Sequence, residues 1–122
     1  MTDAAAIQAF LAGFSIPAMA STAVPADQPY PYLTYDLPTG EWAGGELTIT
    51  VDLYYYGDSE AVPNAKAREI RTALGMGGVQ LATDHGTLWL KRGSPFSQPW
   101  PTERDKVKAR RINIDVEYQT VG

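Results

Sequence analysis

The 122-residue chain holds one histidine, His85, and no cysteine, which excludes thiol chemistry, a disulfide framework and thiolate metal sites. A lone imidazole leaves few routes to zinc, which takes several nitrogen or sulfur ligands. His85 lies between Asp84 and Gly86, where a solvated turn residue is the ordinary expectation. Asp52 with Asp115, or Asp115 with Glu117, could face one another across strands as paired carboxylates for acid–base work. Polar strand faces routinely carry such residues, and no nucleophile can be paired with a base, so a small hydrolase ranks last. Gly75, Gly77 and Gly78 follow a helical pattern and precede a strand, the reverse of the order in which a phosphate-cradling loop opens a helix. They read as a helix exit and turn. The expectation is no catalytic residue, no metal and no cofactor.

Binding chemistry is better represented. Trp42, Trp89, Trp100 and Tyr54 to Tyr56 would suit a sugar platform, and the same residue types are enriched at protein contacts and in cores. Arg104, Lys106, Lys108, Arg110 and Arg111 stand against Asp105 and would suit phosphate. They have no adjacent stacking residues and no recognition helix, and the net charge is −4, so a protein contact is the better expectation than nucleic acid.

Charge is also segregated along the chain. All ten basic residues lie at or after Lys66 and eight of the fourteen acids lie before it, so residues 1–65 sum to −8 and residues 66–122 to +4. The two portions can neutralise each other within one fold, or each can meet its counterpart on a neighbouring copy. Head-to-tail contacts of the second kind close into rings when the rotation allows.

Periodicity supplies the scaffold for these side chains. Ile7, Phe10, Leu11 and Phe14 fall on one helical face after Thr2 and Asp3, and Gly13 and Pro17 end that helix. Five prolines and three glycines punctuate Pro17 to Gly45, interrupted by a strand at Tyr30–Tyr35; Leu37 to Gly45 reads as an exposed loop. Leu47, Ile49, Val51 and Leu53 alternate with polar residues in a half-buried strand extended by Tyr54 to Tyr56. A second helix spans Asn64 to Leu74 behind a turn at Gly57, Asp58 and Ser59, and Gly75 stops it. Val79–Thr83 and Thr87–Lys91 form a hairpin. Ile112, Ile114, Val116 and Tyr118 alternate in a last strand, whose basic end either projects past the core or changes face at a bulge near Arg110, with projection favoured. The reading is an α+β fold in a single domain over 1–122: a mainly antiparallel β-sheet with two α-helices on one face. At this length roughly two-thirds of the unfolded chain's surface would be buried. No apolar run spans a membrane, and Met1 to Phe14 lacks the basic start of a secretory signal.

Taken in order, several blocks resemble the tail terminator, or tail-completion, proteins of long noncontractile-tailed bacteriophages and prophages. They are the amino-terminal helix leading to Phe14-Ser15-Ile16-Pro17, then Tyr30-Pro31-Tyr32-Leu33-Thr34-Tyr35, then Leu47 to Tyr56 with Gly57-Asp58-Ser59 and the helix carrying Lys66 to Ile70. Gly86 to Gly93 with Ser94-Pro95-Phe96-Ser97-Gln98, and Arg111 to Tyr118, complete the set. The resemblance implies a noncatalytic virion subunit that forms a hexameric ring on the head-proximal end of the tail. Such a ring covers the growing tube, stops its polymerisation and gives the filled head a docking surface. Its implied partners are its own copies, the tail tube protein and a head-connector protein, with assembly in the host cytoplasm and no membrane. DNA would pass through without specific binding; six copies would carry six times −4, or −24, and an acidic channel would repel phosphates. By the same resemblance the loop Arg92–Pro101 is the candidate subunit contact, with Trp89, Arg92, Phe96 and Trp100 as anchors and Arg104, Lys106 and Lys108 as the basic rim. Trp89 and Phe96 would equally serve to cap the core. The Pro/Gly-rich span 24–45 would be a loop or an arm ordered in the ring. Another head–tail connector, or a carbohydrate- or receptor-binding module, are the alternatives.

Overall fold

Period-two alternation builds the centre of the molecule. In β3 (Glu46–Tyr56) Ile49, Val51, Leu53 and Tyr55 are buried, and in β6 (Val107–Thr120) Ile112, Ile114 and Val116 are. The two strands run antiparallel in one unbroken register, from Glu46 opposite Glu117 to Tyr56 opposite Val107. Opposed residues share a face, so the apolar sets of both strands merge into one surface. This computed structural model describes residues 1–37, 46–84 and 86–120. Trp42, His85 and the greater part of the expected loop at Leu37 to Gly45 lie outside the described residues.

Four further strands complete a mixed six-stranded sheet: β1 (Ala18–Ala20), β2 (Tyr32–Asp36), β4 (Val79–Thr83) and β5 (Gly86–Trp100), in the order β1-β2-β3-β6-β5-β4. All neighbours are antiparallel except β1 and β2. The expected α+β architecture is present in this broader form. β1 is the element that the sequence did not signal, because three small or flexible residues, Ala18, Met19 and Ala20, carry no alternation.

Both helices cover the same face. In α1 (Asp3–Ala12) the Thr2 hydroxyl caps the helix by accepting from the Ala5 amide at 3.1 Å, and Ile7 and Leu11 are buried. In α2 (Ala61–Leu74) Ala67, Ile70 and Leu74 are buried, and Gly75 closes the helix at φ 68°. Ile7, Leu11, Phe14, Ala67, Ile70 and Leu74 share one core with Leu33, Leu53, Leu88, Leu90 and their neighbours on the sheet. Lys66 ties the helices together by donating to the Phe14 carbonyl at 2.7 Å. In a flat sheet five interstrand steps would separate β1 from β4 by about 24 Å. α1, about 15 Å long by its ten residues, touches both, so the sheet is curled around it.

The expected loop Arg92–Pro101 is corrected here: Arg92 to Trp100 belong to β5. The register with β6 slips between Arg92 and Ser97, where four residues of β5 face Asn113 alone, and Asn113 Nδ2 holds the bulge by donating to the Pro95 carbonyl at 2.9 Å. Beyond Leu90, β5 has no partner on its β4 side, so Pro99 lies on an edge that needs no amide. β6 itself has no bulge, so the expected change of face near Arg110 does not occur; the favoured projection past the core is corrected as well, because Val107, Ala109 and Arg110 are buried between β3 and β5. Gly78 (φ 79°) is required by close approach, since a Cβ there would lie 2.4 Å from the Leu90 carbonyl oxygen.

Leu53→Ala, at the centre of this core, should cost about 2–5 kcal/mol in urea unfolding. Val62→Ala, on the exposed side of α2, should stay within about 0.5 kcal/mol of wild type.

Candidate functional site

The face of the sheet opposite the helices has no covering element among the described residues. Parity sends to it Thr48, Asp52, Tyr54 and Tyr56 of β3, Arg111 and Asp115 of β6, Tyr32 and Thr34 of β2, and Trp89, Lys91 and Trp100 of β5. At its centre Asp52 accepts from Arg111 Nε at 2.9 Å and Nη2 at 3.0 Å, with 8% of the aspartate side chain exposed. The Arg111 guanidinium lies over the Trp100 ring, 3.5 Å from its centroid. The hydrogen bond to Asp52 holds the Arg111 proton more tightly than usual.

Tyrosines extend this centre toward the β2 side. Tyr32 stacks on Tyr54 at 5.1 Å between centroids, Tyr30 approaches Tyr32 at 5.4 Å and Tyr56 at 6.0 Å, and Arg104 Nη1 reaches the Tyr30 hydroxyl at 3.4 Å. Burial raises the Tyr54 phenol above its ordinary value, and the Asp52 charge raises it further. Tyr32 is raised by burial and by Tyr30. On the β4 side Lys91 donates to Glu46 at 3.0 Å, lies 3.8 Å from Glu117 and covers Trp89 at 4.6 Å. Trp89 Nε1 donates to the Gly77 carbonyl at 2.7 Å, sealing the glycine turn after α2.

The seven expected contact residues do not form one patch. Trp89 and Trp100 lie on the uncovered face. Arg92 and Phe96 lie on the helix side, where Phe96 packs against the core and Arg92 Nε donates to the Arg71 carbonyl at 3.1 Å. Arg104 and Lys106 occupy the turn joining β5 to β6, with Lys106 paired to Asp58 at 2.9 Å, and Lys108 stands opposite Tyr55. The expected carboxylate pairs are not assembled as such: Asp52 faces Arg111, and Asp115 lies between Lys91 and Thr48, whose hydroxyl donates to it at 2.9 Å. Among the described residues no group of three or more metal-binding side chains occurs. No helix among them is long and apolar enough to cross a membrane.

Half of the eight acids before Lys66 meet bases after it within the chain. Glu46, Asp52, Asp58 and Glu60 pair with Lys91, Arg111, Lys106 and Arg110 respectively. Arg110 is 5% exposed on the helix side, where it also donates to Asn64 at 2.8 Å and to the Ala109 carbonyl at 2.9 Å. The sequence offered Tyr54 to Tyr56 with Trp89 and Trp100 as an aromatic platform, but it did not reveal that Tyr30 and Tyr32 join Tyr54 and Tyr56 while Tyr55 is buried on the other face, nor the Asp52–Arg111–Trp100 stack. The shared even parity of Asp52, Tyr54 and Tyr56 was the available signal.

No protein-family model matches the chain, and no curated protein matches it. A solved structure is similar over 98% of this chain and 94% of its own length, with a TM-score of 0.68 at 16% identity. At that identity the likeness establishes a shared fold.

Tyr32, Tyr35, Tyr54 and Tyr55 are all raised above the usual phenol value of 10.0, chiefly by burial. Their folded forms hold the proton more tightly than the unfolded chain does, so the stabilisation is complete below about pH 10 and is lost as pH rises through the folded values. Alkaline titration should show tyrosinate absorbance for these groups lagging free tyrosine, and unfolding midpoints that fall only above about pH 10.

Proposed function

We propose that this chain is the subunit of a hexameric ring that caps a phage tail tube, stops its polymerisation and presents a docking surface to the head. The observation that carries this reading is the uncovered sheet face, whose exposed Tyr56 and Trp100, Tyr30, Tyr32, Arg104 and Arg111 are of the types that concentrate at protein contacts. The blocks that resemble tail terminators fall on the elements that build this face: Leu47 to Tyr56 in β3, Gly86 to Gln98 in β5 and Arg111 to Tyr118 in β6. A protein surface suits the face better than a sugar does. Tyr32 and Tyr54 stack on each other and Trp100 carries Arg111, so several flat ring faces are already occupied.

The work asked of such a subunit is geometric. Each copy makes a modest contact with the tube, and once one copy is seated the others bind as if intramolecularly, so the ring attaches far more tightly than a single subunit. The exposed turn Glu103 to Lys106, between β5 and β6, gives each copy a polar feature beside this face for that purpose.

Deleting the gene from its phage should give overlong tails and heads without attached tails; tails of normal length would refute termination. Tyr56→Asp, at a residue 65% exposed, should abolish capping of purified tubes while leaving the urea midpoint unchanged.

A further inference from the structure

In-chain pairing leaves several charges without an ion pair among the described residues, and two sets of them lie on different parts of the fold. Arg68, Arg71 and Arg92 form no ion pair among the described residues, and they gather at one place. Arg68 and Arg71, three apart on α2, line a cleft of roughly 210 Å³ with Asn64, Ala67, Phe96 and Ser97. Arg92 reaches the same helix end, where its Nε is taken by the Arg71 carbonyl and its two terminal nitrogens remain. Two guanidinium groups in the cleft and a third at the same helix end make this a cationic surface that favours an anion.

The leftover acids lie along the other end of the sheet. Residues 1–65 contain no base, and four of their acids are matched from the second half of the chain. Asp3 sits in the first turn of α1, where the helix dipole favours a negative charge. Asp27, in the connection from the turn at Ser21–Ala23 back to β2, and Asp36, at the end of β2, are exposed and make no ion pair among the described residues. Asp36 accepts from the Ser21 hydroxyl, a neutral partner, and feels the Arg111 charge only at longer range, since Arg111 is hydrogen-bonded to Asp52. β3 and β6 stand between this edge and the cleft. Glu103 and Asp105 also form no ion pair among the described residues, but they alternate with Arg104 and Lys106 in a turn of no net charge.

We infer that the arginine cleft between α2 and the bulged part of β5 receives the Asp27–Asp36 edge of a second copy of this chain. One copy offers both surfaces on different parts of its fold, so the contact is head-to-tail and propagates around a ring. The number of copies rests on the ring reading; the contact itself does not. Its charges are exposed, so it weakens as salt rises.

Light scattering on the purified full chain across a concentration series tests this. Arg68→Glu with Arg71→Glu, and separately Asp27→Lys with Asp36→Lys, should each weaken self-association at least about tenfold. Arg92 is left intact because it holds the end of α2. Mixing the two variants should restore association, since the reversed surfaces complement each other, and circular dichroism should match wild type throughout. Glu103→Lys with Asp105→Lys should associate as wild type does. Wild-type behaviour of the first two variants, failure of their mixture to associate, loss of association in the Glu103 and Asp105 control, or a wild type that stays monomeric at its solubility limit would each overturn the contact. Tail lengths report separately on termination: association through these surfaces beside normal tails would sink the capping role and leave the contact standing.

Discussion

The continuous pairing of β3 with β6 holds every other part of the molecule in its place. Eleven consecutive residues of β3 are matched without a slip, so the two faces of the sheet never exchange roles along its central ladder. One face gathers Ile49, Val51, Leu53, Ile112 and Ile114 beneath the helices. The other is left with hydroxyls, charges and tyrosines. A one-residue slip would carry Asp52 and Arg111 into the core and Leu53 out of it, an exchange that the hydrophobic effect forbids.

Among the described residues the irregularity lies in β5, where that strand runs past the end of β4. The bulge in β5 absorbs residues that β6 does not match, and it reverses the parity of the residues beyond it, so that Trp100 joins Trp89 on the uncovered face although the two differ by an odd step along the strand. The same bulge leaves Phe96 against the core and opens the cleft beside α2. Two arginines from neighbouring strands then fix that helix: Arg92 binds its carboxyl end, where the dipole favours a cation, while Arg110 meets its amino end. The second arrangement runs against the dipole and is made tolerable by Glu60 and Asn64, which take the buried guanidinium.

The proposed ring subunit would use this frame directly. Cross-pairing of acids from the first half with bases from the second neutralises most of the middle of the sheet, and what survives is an aromatic and arginine surface on one side and unlike charges at separate places. The sheet presents these features in a fixed register, which is what the proposed assembly by repetition would require.

Much of the architecture was legible in the residues. Leu47 to Leu53 and Ile112 to Tyr118 announced strands by alternation, Ile7 to Phe14 and Ala67 to Leu74 announced helices, and Thr83 to Gly86 announced the hairpin, because each of these patterns is local. β1 was not legible, since its pairing with β2 comes from backbone hydrogen bonds that Ala18 and Ala20 do not advertise. Neither was the strand nature of Arg92 to Trp100, where glycine, serine and proline signal a loop and only an unpartnered edge makes them acceptable. The site was harder still. Sequence supplied the aromatic and basic residues but grouped Trp89, Arg92, Phe96 and Trp100 by proximity along the chain, whereas strand parity and the bulge together send Trp89 and Trp100 to one face and Arg92 and Phe96 to the other. Which acid meets which base, Asp52 with Arg111 and Glu60 with Arg110, was decided by register across strands and by the seating of α2, separations of 59 and 50 residues that no local pattern encodes.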